Sequence, residues 1–188
     1  MENVLEKFKK ILCGTLDNQA QIDKERAEGQ QIHPYAKHVT NICDHKIINR
    51  PKGHEGIYIL EESYYTYPDK EMEIKPLLFY LRSEGTYKVL LQSMRLPPHI
   101  NPVDVVNHND NLVLDYNKLI TSPFGIAEYT LQVTGQFTVN HIGIISPGIT
   151  FQLTETLSEG HLSVLEILRK DGVKLTPYET PIDYIKIK

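Results

Sequence analysis

An all-β fold, an antiparallel barrel of the lipocalin-like kind preceded by short N-terminal helices, is what this sequence predicts, and three observations carry it. From His38 onward, apolar and polar residues alternate with a period of two. The runs are separated by Pro, Gly and Asn turn signals, with no helical stretch long enough for a parallel crossover, so the strands are antiparallel and joined by hairpins. There are about ten such runs, and a sheet of that size closes or folds into two layers to manage its edges. Closure leaves an interior wide enough for one small ligand.

The elements follow in order. Val4, Leu5, Phe8, Ile11 and Leu12 recur at helical spacing, which predicts an amphipathic helix over residues 2–13 that packs on a sheet or plugs a barrel end. Asp17 is placed to cap a second helix over 18–28, and Gly29 supplies its left-handed stop; this helix is mostly polar and is expected to lie exposed. Strands are expected near 38–48, 56–66, 72–82, 86–95, 111–116, 126–133, 136–143, 149–157, 161–168 and 183–187. Turns fall at Arg82-Ser83-Glu84-Gly85, Thr134-Gly135, Pro147-Gly148, Ser158-Glu159-Gly160 and Asp171-Gly172, among others. The 188 residues fit one domain, with helices over 1–30 and a barrel over 38–188.

Composition excludes several function classes. A net charge of −4 with scattered Lys residues gives no footprint for nucleic acid. No run of eighteen apolar residues occurs and the N-terminus lacks a signal-peptide core, so a soluble, cytoplasmic protein without a membrane span is expected. The 2 cysteines are too few for a disulfide framework. His33, His38, Cys43 and His45 form the tightest metal-type grouping, but no further ligand lies at a diagnostic spacing, and no metal is assigned. Nucleophile elbows and phosphate-binding Gly loops are absent from the sequence.

Chemistry concentrates in Gly56-Ile57-Tyr58-Ile59-Leu60-Glu61-Glu62-Ser63-Tyr64-Tyr65-Thr66-Tyr67. On a strand, Tyr58, Leu60, Glu62 and Tyr64 share one face, while Ile59, Glu61, Ser63 and Tyr65 share the other. Whichever face turns inward carries a carboxylate, which is costly to bury unless it meets a donor, a cation or a ligand. A partner carboxylate for it has to come from another strand, with Glu128 and Glu155 as candidates. Arg82 and Arg95 end β runs where a barrel mouth would lie, and their guanidinium forks suit an anionic ligand.

Several segments, in order, resemble the T-type (CpcT/CpeT) phycobiliprotein chromophore lyase family. They are Leu12-Cys13-Gly14-Thr15-Leu16-Asp17-Asn18-Gln19-Ala20-Gln21, Tyr35-Ala36-Lys37-His38-Val39, the Gly56 to Tyr64 strand, Thr134-Gly135-Gln136-Phe137, Pro147-Gly148 and the closing strand Pro181 to Ile187. The resemblance implies a calycin-like barrel, often dimeric, that binds an open-chain tetrapyrrole (bilin) and assists its thioether attachment to a Cys of a phycobiliprotein β subunit. It makes Glu61 the acceptor for pyrrole N–H groups, sets Tyr64 beside the ring system, pairs Arg82 with a propionate, and adds His38, Tyr58 and Tyr80 to the ligand site. Where the family carries Pro-Tyr-Arg-x-Arg, this chain reads Lys75-Pro76-Leu77-Leu78-Phe79-Tyr80-Leu81-Arg82, and after Pro-Gly it has Ile149-Thr150-Phe151 instead of a Cys. Two alternatives stand beside it: a lipocalin-like small-molecule binding protein without lyase activity, and a structural or interaction barrel whose interior is filled. Cavity volume separates those two.

Overall fold

A computed structural model describes residues 3–67 and 70–187. Helix α1 (Val4–Leu12) leads into strand β1 (Gly14–Asp17), followed by helix α2 (Gln19–Ala27), β2 (Tyr35–Ile42), β3 (Ile47–Ile48), β4 (Ile57–Thr66), β5 (Glu73–Glu84) and β6 (Lys88–Arg95). After a long connection carrying β7 (Leu114–Asp115) come β8 (Ile120–Leu131), β9 (Phe137–Ser146), β10 (Ile149–Ser158), β11 (His161–Lys170), β12 (Val173–Lys174) and β13 (Ile182–Lys186).

The predicted fold class is the observed one. Around the sheet the order is β10-β9-β8-β6-β5-β4-β2-β1-β13-β11, and a full-length pairing of β10 with β11, from Ile149↔Lys170 to Ser158↔His161, closes the ring. Every neighbouring pair in it is antiparallel, with β12 appended to β11. The short β3 and β7 form a separate parallel pair outside the barrel.

Helix α1 seals one end. Its buried face, Val4, Leu5, Phe8, Ile11 and Leu12, joins one core cluster with residues from strands all round the ring, including Leu81, Val89, Tyr129, Phe137, Leu157 and Leu162. Phe8 is fully buried and meets Tyr129 and Phe137 edge-on at centroid distances of 4.9 and 5.0 Å. Asn3 caps the helix by accepting from the Leu5 amide at 2.8 Å.

The outer face of β4 and β5 carries a second core. Tyr58, Leu60 and Leu78 pack there under Cys43, Ile47, Val105, Leu112 and Leu114, most of which belong to the β6–β8 connection. Glu62 ties that connection down, accepting from the Asn107 amide at 2.6 Å and from its side chain at 2.8 Å, with the Tyr64 hydroxyl as a further donor.

Three expectations change in detail. The segment 14–17 is β1, a strand too short to show alternation, wedged between β2 and β13. The expected 38–48 strand starts at Tyr35 and stops at Ile42, where Cys43 turns into a 3-10 turn over Asp44–Lys46, so Cys43 and His45 do not share a strand face. Helix α2 exposes most of its surface, yet Ile22 and Glu25 are buried, and Glu25 accepts from the Ile32 and His33 amides at 2.7 and 3.0 Å. Its N-cap position is Asn18, while Asp17 accepts from the Gln19 amide at 3.1 Å.

If α1 is the barrel's plug, Phe8→Ala destabilises the chain by about 3–5 kcal/mol, the usual cost of emptying a packed aromatic site. Urea unfolding checks this, and a change below ~1 kcal/mol would show that the helix is not part of the core.

Candidate ligand-binding cavity

Beyond the plug the barrel interior is not filled. A cavity of about 310 Å³ remains, walled on its apolar side by Leu12, Leu77, Phe79, Leu91, Phe124, Phe151 and Leu153. Its polar lining is His38, Glu61, Ser63, Glu155 and Glu166, with Lys75 and Ser122 toward the end opposite α1. The volume lies at the small end of the range of roughly 300–1,000 Å³ found for ligand pockets.

Strand register explains who faces whom. Ser63 lies opposite His38, and Glu61 opposite Thr40 on one side and Leu77 on the other. Across the ring Leu153 pairs with Glu166, and Glu155 with Val139 and Val164. Because alternate residues turn inward, these positions form continuous inner stripes. The Phe124 ring reaches this space because Gly143 makes way; a Cβ there would lie 2.3 Å from the ring and from the Phe124 carbonyl oxygen. The neighbouring Gly125, at φ +89°, relaxes the strand where the β6–β8 register shifts.

The cavity's electrostatics are one-sided. Glu61 accepts from the Thr40 hydroxyl at 3.1 Å and from the Ser63 hydroxyl at 3.0 Å. Its Oε1 lies 3.7 Å from His38 Nδ1, beyond hydrogen-bond reach. His38 is 6 % exposed, and among the described residues neither ring nitrogen has a hydrogen-bond partner. It packs against Tyr184 with centroids 4.4 Å apart and the ring planes tilted by 35°. Glu155 accepts from the Tyr129 hydroxyl; burial, reinforced by the charges of Glu61 and Glu166, pushes its carboxyl up to about 8. Burial and the Glu61 charge push Glu166 up to about 7, and Lys75 opposes this. Burial also raises the Tyr65, Tyr129 and Tyr184 phenols well above their ordinary range. Cys13, at the end of α1, is raised chiefly by burial. Among the described residues no three His, Cys, Asp or Glu side chains converge to hold a metal ion, so the carboxyls are spread along the wall.

Of the residues singled out from sequence, the structure brings Glu61 and His38 together at the cavity. Tyr58, Tyr64, Tyr80 and Arg82 lie on the outer face instead, because the inward set on β4 and β5 is the odd-numbered one: Glu61, Ser63, Tyr65, Lys75, Leu77 and Phe79. Tyr58 stacks against His54 and Tyr80, Tyr64 serves Glu62, the Tyr80 hydroxyl donates to the Glu55 carbonyl at 2.5 Å, and Arg82 is exposed. Of the two candidate partner carboxylates, Glu155 is inside and Glu128 is outside, paired with Lys88 at 2.7 Å. Glu166 was not anticipated. Its signal is a single Glu in the otherwise apolar inward set Leu162, Val164 and Leu168. No protein-family model, curated protein or solved structure matches this chain.

The raised acids set a pH dependence of stability. Glu155 and Glu166 ionise near the ordinary 4.5 when unfolded but at about 8 and about 7 when folded. Between those values the folded chain keeps protons that the unfolded chain has lost, so this contribution is present below about 4.5 and disappears as pH rises through about 7 and about 8. Urea midpoints measured from about pH 5 to about pH 9 should fall, by at most ~1.4 kcal/mol per pH unit for each group. Glu155→Gln/Glu166→Gln should flatten the profile; a wild-type profile already flat would contradict the assignment.

Proposed function

We propose that this protein is a binding barrel for a small, largely apolar organic molecule carrying hydrogen-bond donors. One observation carries the reading: about 310 Å³ of space stays open inside a barrel whose plugged end is packed solid, and carboxyls with spare acceptor capacity face that space. A chain needing only a stable barrel would set Leu or Ile at 155 and 166, since burying carboxyls without cations is unfavourable. A structural barrel fits poorly, because its interior would be filled and its glutamates neutralised by Arg or Lys.

The test uses the neutral fluorophore N-phenyl-1-naphthylamine, which brightens on leaving water. Titration into the protein should give saturable enhancement with a dissociation constant of order micromolar, about −8 kcal/mol. Ser93→Trp, which fills the cavity from β6, should weaken binding at least about tenfold while the far-ultraviolet circular dichroism stays unchanged. Equal binding by both proteins would place the fluorophore elsewhere and remove the support.

A second reading, bilin binding with thioether transfer to a phycobiliprotein β subunit, is favoured by the same carboxyls, since pyrrole N–H groups are donors. An open-chain tetrapyrrole exceeds a cavity of about 310 Å³, so on this reading one end projects past Lys75, where an acceptor thiolate can meet it. Lys75 then takes the propionate role given to Arg82 from sequence. The family's homodimer belongs to this reading, and exposed Ile142 and Ile144 offer it an apolar outer surface. Titration with phycocyanobilin followed by addition of the β subunit should give a sharpened red-shifted band and a zinc-fluorescent covalent product on a denaturing gel. A spectral change without product would leave a binder only.

A further inference from the structure

Resting on the binding reading above, we infer that the cavity selects an organic cation, an ammonium group on a compact apolar body, whose nitrogen pairs with the carboxyls of the inner wall. Glu61, Glu155 and Glu166 face one enclosed space that contains no Arg, and the nearest Lys, Lys75, is on an exposed position, 3.4 Å from Glu73 and over the Tyr65 ring. Among the described residues no group donates to Glu166, so its lone pairs are directed at whatever occupies the void.

His38 is the independent sign of a missing ligand. A histidine 6 % exposed with two unpartnered ring nitrogens is an uncompensated buried polar group, and such groups are satisfied by a ligand or by ordered water. Its ring borders the same void, beside Glu61, with both nitrogens covered by protein, so a ligand reaches them once the ring turns. An ammonium carries three N–H donors and no acceptor, so it suits a carboxylate together with an unprotonated imidazole nitrogen. A carboxylate ligand would bring a fourth carboxyl into the same space. The aromatic edges of Phe79, Phe124 and Phe151 wall the remainder, which favours an aralkyl or short alkyl body.

Charge balance then couples binding to protons. Around the two raised acids stand His38 from β2, Glu61 and Tyr65 from β4, Lys75 from β5, Tyr129 from β8, Tyr178 from the β12–β13 connection and Tyr184 from β13, and the Glu61 charge also acts on Cys13. An arriving cation stabilises the ionised form of Glu155 and Glu166, so its single charge takes the place of about one proton, which leaves the pair for solvent as the ammonium settles. The nitrogen keeps its own protons, and no covalent bond changes.

The experiment compares 2-phenylethylammonium with the neutral 2-phenylethanol and the anionic phenylacetate. Each is titrated calorimetrically into the full chain in two buffers of different ionisation enthalpy. The inference expects the ammonium to bind at least about tenfold more tightly than the alcohol, to release about one proton near pH 7, and to tighten as pH rises from about 6 to about 8. The alcohol should release none. Glu155→Gln/Glu166→Gln should lose the preference and the proton release while its far-ultraviolet circular dichroism matches that of the wild type. Alcohol and ammonium binding equally, or phenylacetate binding best, would overturn the inference and leave the binding reading standing. No heat from any of the three, together with no response from the fluorophore, would overturn both.

Discussion

Closure of the sheet between β10 and β11 is the constraint on which the rest of the molecule depends. An open sheet can turn its polar face to water. A closed one traps every second residue of each strand, whatever that residue is. The pairing that joins Leu153 to Glu166 and Glu155 to Val164 therefore does two things at once: it removes the last exposed edges and fixes two carboxyls in the interior. Their displaced ionisation is the physical record of that enclosure, since burial is the leading cause at both.

The interior is divided between packing and space. At the α1 end, Phe8, Tyr129, Phe137 and Leu157 fill the ring, whereas toward the opposite end Ser63, Ser93 and Ser122 occupy inward positions where larger side chains would close the void. The outside of the same wall is treated differently again. Glu62, one residue from Glu61, points outward and holds the β6–β8 connection through Asn107, so adjacent carboxylates on one strand perform unrelated tasks. One is fully engaged by backbone and side-chain donors, while the other keeps unused capacity beside an orphaned histidine.

How much of this was legible follows from which signals are local. Alternation and turn residues are local, and they placed the closed architecture and the long strands, except that β8 starts at Ile120 and not near 126, and that the expected 111–116 strand is only Leu114–Asp115, outside the barrel. They also sorted β4 into its two faces, Tyr58 and Tyr64 on one and Glu61 and Ser63 on the other. Which face is inward is not a local property. The outward set, Tyr58, Leu60, Glu62 and Tyr64, is as apolar as the inward set because the β6–β8 connection covers it, and hydropathy alone does not separate a wall buried on both sides. Arg82 and Tyr80 were assigned to the ligand by motif position and fell on the outer side of the wall for the same reason. β1 escaped notice because four residues cannot display a period, and Cys43 with His45 were set on a strand that in fact ends at Ile42. Glu166 was within reach, since a lone carboxylate in the apolar inward set of a hairpin strand is the sequence form of a buried charge.

The arrangement also bears on why the cavity has not been packed shut. Replacing the inner carboxyls by leucine would remove a desolvation cost and fill space, so by stability alone the present interior is inferior. What it gains is a pair of sites whose charge is held in reserve: near neutrality Glu166, at about 7, and Glu155, at about 8, are poised between forms, and a modest external charge is enough to shift them. Glu61, held by Thr40 and Ser63, is fixed in place by contrast, and its field is a cause of the displacement at both neighbours. Two carboxyls raised toward neutrality, beside one held by Thr40 and Ser63, make the interior responsive to charge without the rigid convergence a metal ion would demand. Only a ligand that brings its own positive charge or N–H donors takes up that response, and the apolar wall opposite requires the rest of such a ligand to be greasy.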